Sequence, residues 1–386
     1  MKVTSKPSGR VMRTGRALAA GKRAEKRGEQ HASNGPNHGP GRGHRASGYI
    51  GSWIVRDLVQ HGYQVRACVR NPDLPEKVEH LLALRELGNG DVSLTTADLR
   101  DEGSYDDAFA GCAGVIHAGA AVGYNRETPQ EVYDGCFTEV RHVVESALKA
   151  TSVRRFVFTS SFAAVGHPRP AGYVFTEADW CSDNPEGYKG AWTRKSIPKN
   201  RDIAYAMAKA ETERMLYDLA AQHEQFEAIS ILPLHVIGPL MCANHDQGWS
   251  WQNCIRFMMR GKPYAKSRGG RMLWNLVDVR DVASAHRLCL ESNAAANGSR
   301  YILSAADPSG ELFTWQLSDR LAALFPEVSA IGGEPMVDGV PEKPTYDSPR
   351  AYCRLAMDEL GLRPRPVDEA LRATVESYRS LGLLDA

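Results

Sequence analysis

Residues 47–70 read SGYIGSWIVRDLVQHGYQVRACVR. Gly48 lets a backbone approach a pyrophosphate, and Gly51 lets the next helix pack closely on a sheet. Ile50 to Gln60 reads as that helix, and Tyr63 to Val69 as the strand after it. The amides and dipole at a helix start attract phosphate groups. A single G-x-x-G is weak evidence, and only the pattern downstream gives it weight.

Outward from this stretch the same alternation continues. Helices are predicted at Glu76 to Leu87, Tyr105 to Ala110, Glu131 to Ala150 and Ile203 to His223. Strands are predicted at Val92 to Ala97, Gly114 to Ala118, Arg155 to Thr159 and Ala228 to Pro233. Short apolar strands alternating with helices imply a parallel sheet covered on both faces, and right-handed crossovers make it doubly wound. Beyond Gly238 the pattern loosens. Strands are expected at Leu273 to Val277 and Arg300 to Leu303. Helices are expected at Val279 to Glu291, Thr314 to Phe325, Ser348 to Leu360 and Val367 to Leu381. These pieces, with the long loop Phe162 to Asn200, read as a smaller substrate-covering lobe.

The net charge of +1 hides an asymmetry. Residues 1–46 hold eleven Lys/Arg against two Asp/Glu, and the rest of the chain holds 36 against 44. The basic segment has no strand-like apolar run and reads as disordered, with a transit peptide as the alternative. The acidic remainder offers no attraction for nucleic acid or an anionic membrane. The sequence shows neither a secretory signal nor an apolar run long enough to span a bilayer. Eight scattered cysteines, with no C-x-x-C pair and no zinc-spaced histidine pair beside them, suggest reduced thiols in the cytoplasm and no metal.

The chemistry centres on Tyr205-Ala-Met-Ala-Lys209. Residues four apart share a helix face. An ammonium beside a phenol stabilises phenolate and lowers the tyrosine pKa from roughly 10. Such a tyrosine can give a proton to a carbonyl oxygen as hydride reaches carbon, and the lysine can hold the ribose hydroxyls of a nicotinamide cofactor. Ser160 and Ser161 stand at the carboxyl end of the strand RFVFT, the edge where open α/β sheets bind ligands. Ser161 is the candidate to hydrogen-bond a substrate oxygen. Arg70 ends the second strand, where a cation suits a ribose 2′-phosphate, and Lys77 is a second charge nearby. Asp98 can accept from an adenine amino group, or it can be the N-cap of a helix over Asp101 to Tyr105.

Together these residues resemble the extended short-chain dehydrogenase/reductase superfamily, most closely its dihydroflavonol reductase and aldehyde reductase branch. The carriers are the opening stretch, Asp98-Leu99, GVIHAGA, VRRFVFTSSFAAVG, YAMAKAETE, ILPLHVIGP and NLVDVRDVASAH, across roughly Ala46 to Gly382. The resemblance implies a Rossmann-like fold over residues 47–386, NADP(H), and a Ser161/Tyr205/Lys209 catalytic triad. It also implies cofactor contacts from Gly48, Gly51, Arg70, Asp98, Leu99, Ala118, Gly119, Ala120, Pro233 and Val236. The cofactor-binding part would span about 47–237. The expected substrate is a small aldehyde or ketone, and the expected state a monomer or homodimer.

Several departures refine this. Pro233 and Leu234 replace the Arg and Asn of nucleotide-sugar epimerases. Arg201-Asp202-Ile203-Ala204-Tyr205 replaces the N-W-Y-C-Y of cinnamoyl-CoA reductases, which turns the expectation from a coenzyme A thioester. Gly166 stands where plant dihydroflavonol reductases carry Asn, which turns it from a flavonoid. Trp180, Trp192, Trp249, Trp251 and Met258 fall in candidate pocket segments and suit an aromatic substrate, although core packing is the commoner role of such residues.

The front end departs most. The family opens with an apolar strand running into T-G-x-x-G-x-x-G, whereas this chain reads Gly41-Arg-Gly-His44-Arg45-Ala46-Ser47-Gly48. Omitting a central strand should cost more than the roughly 5–15 kcal/mol that stabilises a domain. The expectation is therefore that residues 1–45 are not the native beginning, with a natural tail and a degenerate site as the alternative. Two other functional readings stand beside the reductase: a hydroxysteroid or aryl-alcohol dehydrogenase working oxidatively, and a non-catalytic dinucleotide-binding protein.

Overall fold

A computed structural model describes residues 46–118, 128–167, 169, 172–183, 192–246, 250–261, 273–327 and 350–384. The expected basic segment 1–45, Gly119, Ala120 and Trp249 lie outside these residues. The first helix, α1 (Tyr49–Gln60), buries Ile54, Val55, Leu58 and Val59. It gives way at Gly62, whose φ of 82° suits the turn into β1 (Gln64–Val69). Next come α2 (Pro75–Leu82), β2 (Asp91–Thr96), α3 (Asp106–Phe109), β3 (Gly114–His117), α4 (Pro129–Lys149) and β4 (Arg155–Thr159). Thr128 and Glu131 form a capping box at the start of α4.

The middle of the chain holds β5 (Val174–Phe175), α5 (Arg201–His223), β6 (Glu227–Pro233), β7 (His235–Ile237) and α6 (Trp251–Met259). After these come β8 (Leu273–Asp278), α7 (Val279–Glu291), β9 (Arg300–Leu303), β10 (Glu311–Phe313) and α8 (Thr314–Leu324). The last elements are β11 (Arg350–Ala351), α9 (Arg354–Leu360) and α10 (Val367–Ser380).

The strands β3, β4, β6 and β9 form one parallel sheet in the order β3-β4-β6-β9. The pair β1-β2 is also parallel but forms a sheet of its own. Among the described residues no ladder joins β1 to β3. Nevertheless Val65, Ala67 and Val69 of β1 share one core with Ile116 of β3, Val157 of β4 and Ile229 of β6. Among the described residues, side-chain packing joins the two sheets. The expected parallel, helix-covered α/β architecture is present, with this discontinuity in it.

The carboxyl-terminal part adds the small sheet β10-β8-β7 and its own apolar cluster around Trp274, Leu317 and Tyr378. Gly238 fixes the turn that follows β7. Its φ is 126°, and a Cβ there would meet Val279 Cγ1 at 2.9 Å. Two expectations are corrected here. The predicted helix from Glu76 ends at Leu82 and continues to Leu87 as a 3₁₀ turn closed by Gly88. The predicted helix from Ser348 starts only at Arg354, because Arg350 and Ala351 pair with β5 and Ala351 O accepts from Asn275 Nδ2 and Ser304 Oγ. The short elements β7, β10 and α6 add to the expected set.

Candidate active site

Several of the expected site residues follow the carboxyl ends of parallel strands. Arg70 comes after β1, Asp98 after β2, Ala118 after β3, Ser160 and Ser161 after β4, and Pro233 closes β6. Val236 lies in β7, paired with Val277. Gly48 is the N-cap of α1 and Gly51 is buried in its first turn. That helix start has no acidic residue. Among the described residues no side chain caps its first amides, whose donors and partial positive charge suit an anionic group.

α5 carries Tyr205 and Lys209. Asn200 starts the helix by accepting from Ile203 N at 2.7 Å. Lys209 is 2% exposed. Its Nζ donates to Thr159 O at 2.8 Å, the last carbonyl of β4. The same ammonium stands 5.7 Å from the Tyr205 ring centroid and 4.6 Å from that of Phe158. The i, i+4 pair therefore does share a face, and that face meets the strand that leads into Ser161. Burial lowers the Lys209 pKa to about 8, while Cys136 and Glu213 act in the opposite sense.

The two serines separate in role. Ser160 is 4% exposed and donates to buried Glu213. Ser161 is partly exposed, and its Oγ accepts from Ala163 N at 3.1 Å, capping a 3₁₀ turn. Among the described residues its hydroxyl hydrogen meets no acceptor, so it can be donated elsewhere. Thr159 is held from a second side as well, since Thr159 Oγ1 lies 2.7 Å from His286 Nε2. Beneath these residues Arg300 Nε donates to Glu213 Oε2 at 2.7 Å, and both side chains are buried. Sequence reasoning does not single out Thr159, Glu213, His286 or Arg300. Only contacts across long separations give them roles.

At the adenine-side positions, burial lowers the Arg70 pKa, and Asp98 acts electrostatically against that shift. The Asp98 carboxylate accepts from Arg100 N at 3.1 Å and from its guanidinium at 2.7 Å. Burial raises the Asp98 pKa, but these bonds outweigh it and the net direction is down. Asp98 thus closes a local turn onto Arg100 and is not a helix cap, because α3 starts at Asp106. Lys77 is exposed on α2, and Leu99 is buried.

The candidate pocket aromatics are mostly packed. Met258 is fully buried. Trp180 lies against the Arg300 guanidinium at 3.6 Å, and Trp251 packs edge-on to Trp274. Trp192 is partly buried against the cluster that includes Tyr205. Among the described residues no helix is long and apolar enough to cross a membrane.

A cinnamoyl-CoA reductase from Medicago truncatula is 30% identical over 343 residues, covering 86% of this chain and 94% of the relative. A dihydroflavonol 4-reductase from Arabidopsis thaliana is 35% identical over 266 residues, covering 68% and 64%. Among solved structures, Gre2 from Candida albicans in complex with NADPH superposes with a TM-score of 0.71 at 22% identity, over 87% of this chain and 97% of that one. Vestitone reductase from alfalfa superposes with a TM-score of 0.67 at 22% identity, over 88% and 97%. These last two share the fold. Residues 46–303 match the NAD dependent epimerase/dehydratase family, and with two thirds of its length in that match the chain belongs to it.

Proposed function

We propose that this protein is an NADP(H)-dependent oxidoreductase that reduces the carbonyl of a small aldehyde or ketone, with Tyr205 as the proton donor. The observation that carries the reading is the placement of Lys209: its ammonium is fixed on Thr159 O and faces the Tyr205 ring. The reductase relatives at 30% and 35% identity support the same class of chemistry.

The residues present suit an anionic dinucleotide. The start of α1 offers amide donors, Arg70 offers a guanidinium for a 2′-phosphate, and Lys209 offers an ammonium for ribose hydroxyls. When bound, the cofactor supplies the hydride. Tyr205 gives its phenolic proton to the substrate oxygen as charge develops there. Lys209 favours the phenolate left behind, through an ammonium that the Thr159 carbonyl keeps in place. Ser161 donates its hydroxyl hydrogen to the same oxygen and orients the carbonyl. Ser160 is committed to Glu213 and cannot share that role.

The stretch 201–205 favours free carbonyls over thioesters. The test is NADPH oxidation against a panel of aldehydes, ketones and cinnamoyl-CoA. Turnover of free carbonyls that is lost in Tyr205→Phe is the expected result. Turnover only of aryl alcohols in the oxidative direction, or binding of NADPH without turnover of any substrate, would replace the reading.

A further inference from the structure

Outside the strand-end edge, the fold assembles a cluster that the sequence spacing does not reveal. Cys242 precedes a 3₁₀ turn, Ala243–His245, in the segment after β7. His80 lies in the last turn of α2. One donor atom from each of His80, Cys242 and His245 lies within 4.8 Å of the others. We propose that these three side chains bind one Zn²⁺ ion, with the Ser52 hydroxyl or a water molecule as the fourth ligand.

The donor set suits that ion. Imidazole nitrogen and thiolate sulfur are both zinc donors, and zinc takes four ligands in a tetrahedron. Bond lengths of about 2.0–2.3 Å place such donors roughly 3.5 Å apart. Closing the cluster therefore asks for side-chain movements of about an ångström. The polar surroundings suit it as well. Ser52 Oγ lies 2.8 Å from His80 Nε2 and 3.2 Å from His245 Nε2, so a hydroxyl already sits between the rings. The rings stand at 90° with centroids 5.0 Å apart.

The cluster also holds an unmet polar group. His80 Nδ1 is buried with no hydrogen-bond partner among the described residues. A ring with an unmet nitrogen gains by turning one nitrogen to an ion. Two of the hydrogen bonds of His245 are long: Met241 N reaches Nδ1 at 3.2 Å, and Ser52 reaches Nε2 at 3.2 Å. One of them is exchanged for the metal. Asn244 Nδ2 donates to Glu76 O, which already ties this turn to α2.

An imidazole ligates in its neutral form, through a nitrogen that carries no proton. The Cys242 thiol is pushed up by burial, against the nearby amides of Asn244 and His245. Binding therefore displaces the thiol proton to solvent as the S–Zn bond forms, with no change of oxidation state. Cys242 is also the one partly exposed cysteine of eight, which gives an ion a way in. With all three ligands and Ser52 engaged, the ion would brace α1, α2 and the segment after β7. It shares no residue with the Ser161, Tyr205 and Lys209 group, so its role is structural.

Metal-stripped full-length protein titrated with Co²⁺ tests the proposal. One equivalent should produce a thiolate-to-cobalt charge-transfer band in the near ultraviolet and the intense visible bands of four-coordinate cobalt. Zn²⁺ should abolish both and raise the Tm. Cys242→Ser and His80→Gln should lose the near-ultraviolet band, and Cys254→Ser should keep it. In the unaltered chain, Zn²⁺ should slow alkylation of Cys242 at least tenfold by peptide mapping. That readout does not depend on any variant folding. Absence of the band in folded protein, its survival in Cys242→Ser, or alkylation of Cys242 at the same rate with and without Zn²⁺ would overturn the site.

Discussion

Lys209 Nζ and Thr159 O meet at 2.8 Å, joining the middle of α5 to the last residue of β4. This one bond sets the ammonium between the Tyr205 ring and the strand end that continues into Ser161. Removing the phenol alone should leave that scaffold intact. Tyr205→Phe should lower kcat by about 10²–10⁴-fold. NADPH binding, measured by fluorescence titration, should change by only a few-fold. Equal loss of binding and turnover would mean that the phenol acts in packing.

The charge state of Lys209 gives a pH test. Its pKa is lowered to about 8 by burial, so the supporting ammonium is present below about pH 8 and lost above it. The kcat/KM for carbonyl reduction should therefore fall as pH rises through about 8. The same shift makes a stability statement. Between about pH 8 and the unfolded value near 10.4, the unfolded chain binds the extra proton, so stability rises with pH across that window. The difference between wild-type and Lys209→Met denaturation curves should show that slope.

Arg70 should decide the choice of cofactor. A hydrogen bond to a charged group contributes about 1.5–3 kcal/mol. Arg70→Ala should therefore weaken NADPH by roughly 10–100-fold and leave NADH nearly unchanged. Equal weakening of both would place the 2′-phosphate elsewhere.

The buried pair Glu213–Arg300 supports the strand end from below. Breaking one partner of such a pair costs about 3–5 kcal/mol, because the other charge is left without compensation. Glu213→Gln should lose about that much in urea denaturation. The double change Glu213→Gln with Arg300→Met should recover part of it. A loss under about 1 kcal/mol in the single variant would show that the pair contributes little.

Two buried histidines should make the fold acid-sensitive. Burial holds His235 at about 3 and His286 at about 4, below the unfolded value near 6.5. As pH falls from about 6.5, the unfolded chain takes up protons that the folded chain refuses. Each ring then removes about 1.4 kcal/mol per pH unit. His286→Gln should flatten the fall in Tm between about pH 6.5 and 4.5, and an unchanged slope would exclude this ring as a cause.

The alternation of strands and helices is legible because the central strands β3, β4 and β6 are short, largely apolar and buried. Arg155–Thr159 and Val279–Glu291 fall where the sequence places them. The Tyr205–Lys209 pairing is legible from helical spacing alone. The hidden features depend on partners far along the chain. The strand β7 has only three residues and is defined by its pairing with β8. The 348–360 segment has helix-forming residues through most of its length, yet its first part is recruited by β5. Glu213 and Arg300 read as surface charges until the fold buries them together. The sequence favours Ser161 over Ser160, and the bond from Ser160 to buried Glu213 adds a physical reason that spacing does not supply.

Among the described residues no ladder joins β1 to β3, and this has a consequence for how the molecule would answer its ligand. Gly48, Arg70 and Asp98 belong to the half that includes β1 and β2, while Ala118, Ser161, Tyr205, Lys209 and Pro233 belong to the other. A dinucleotide touching both groups would act as a crosspiece between halves that share no backbone rung among the described residues. Occupancy and cohesion would then be one equilibrium, and melting temperature would track cofactor concentration by mass action.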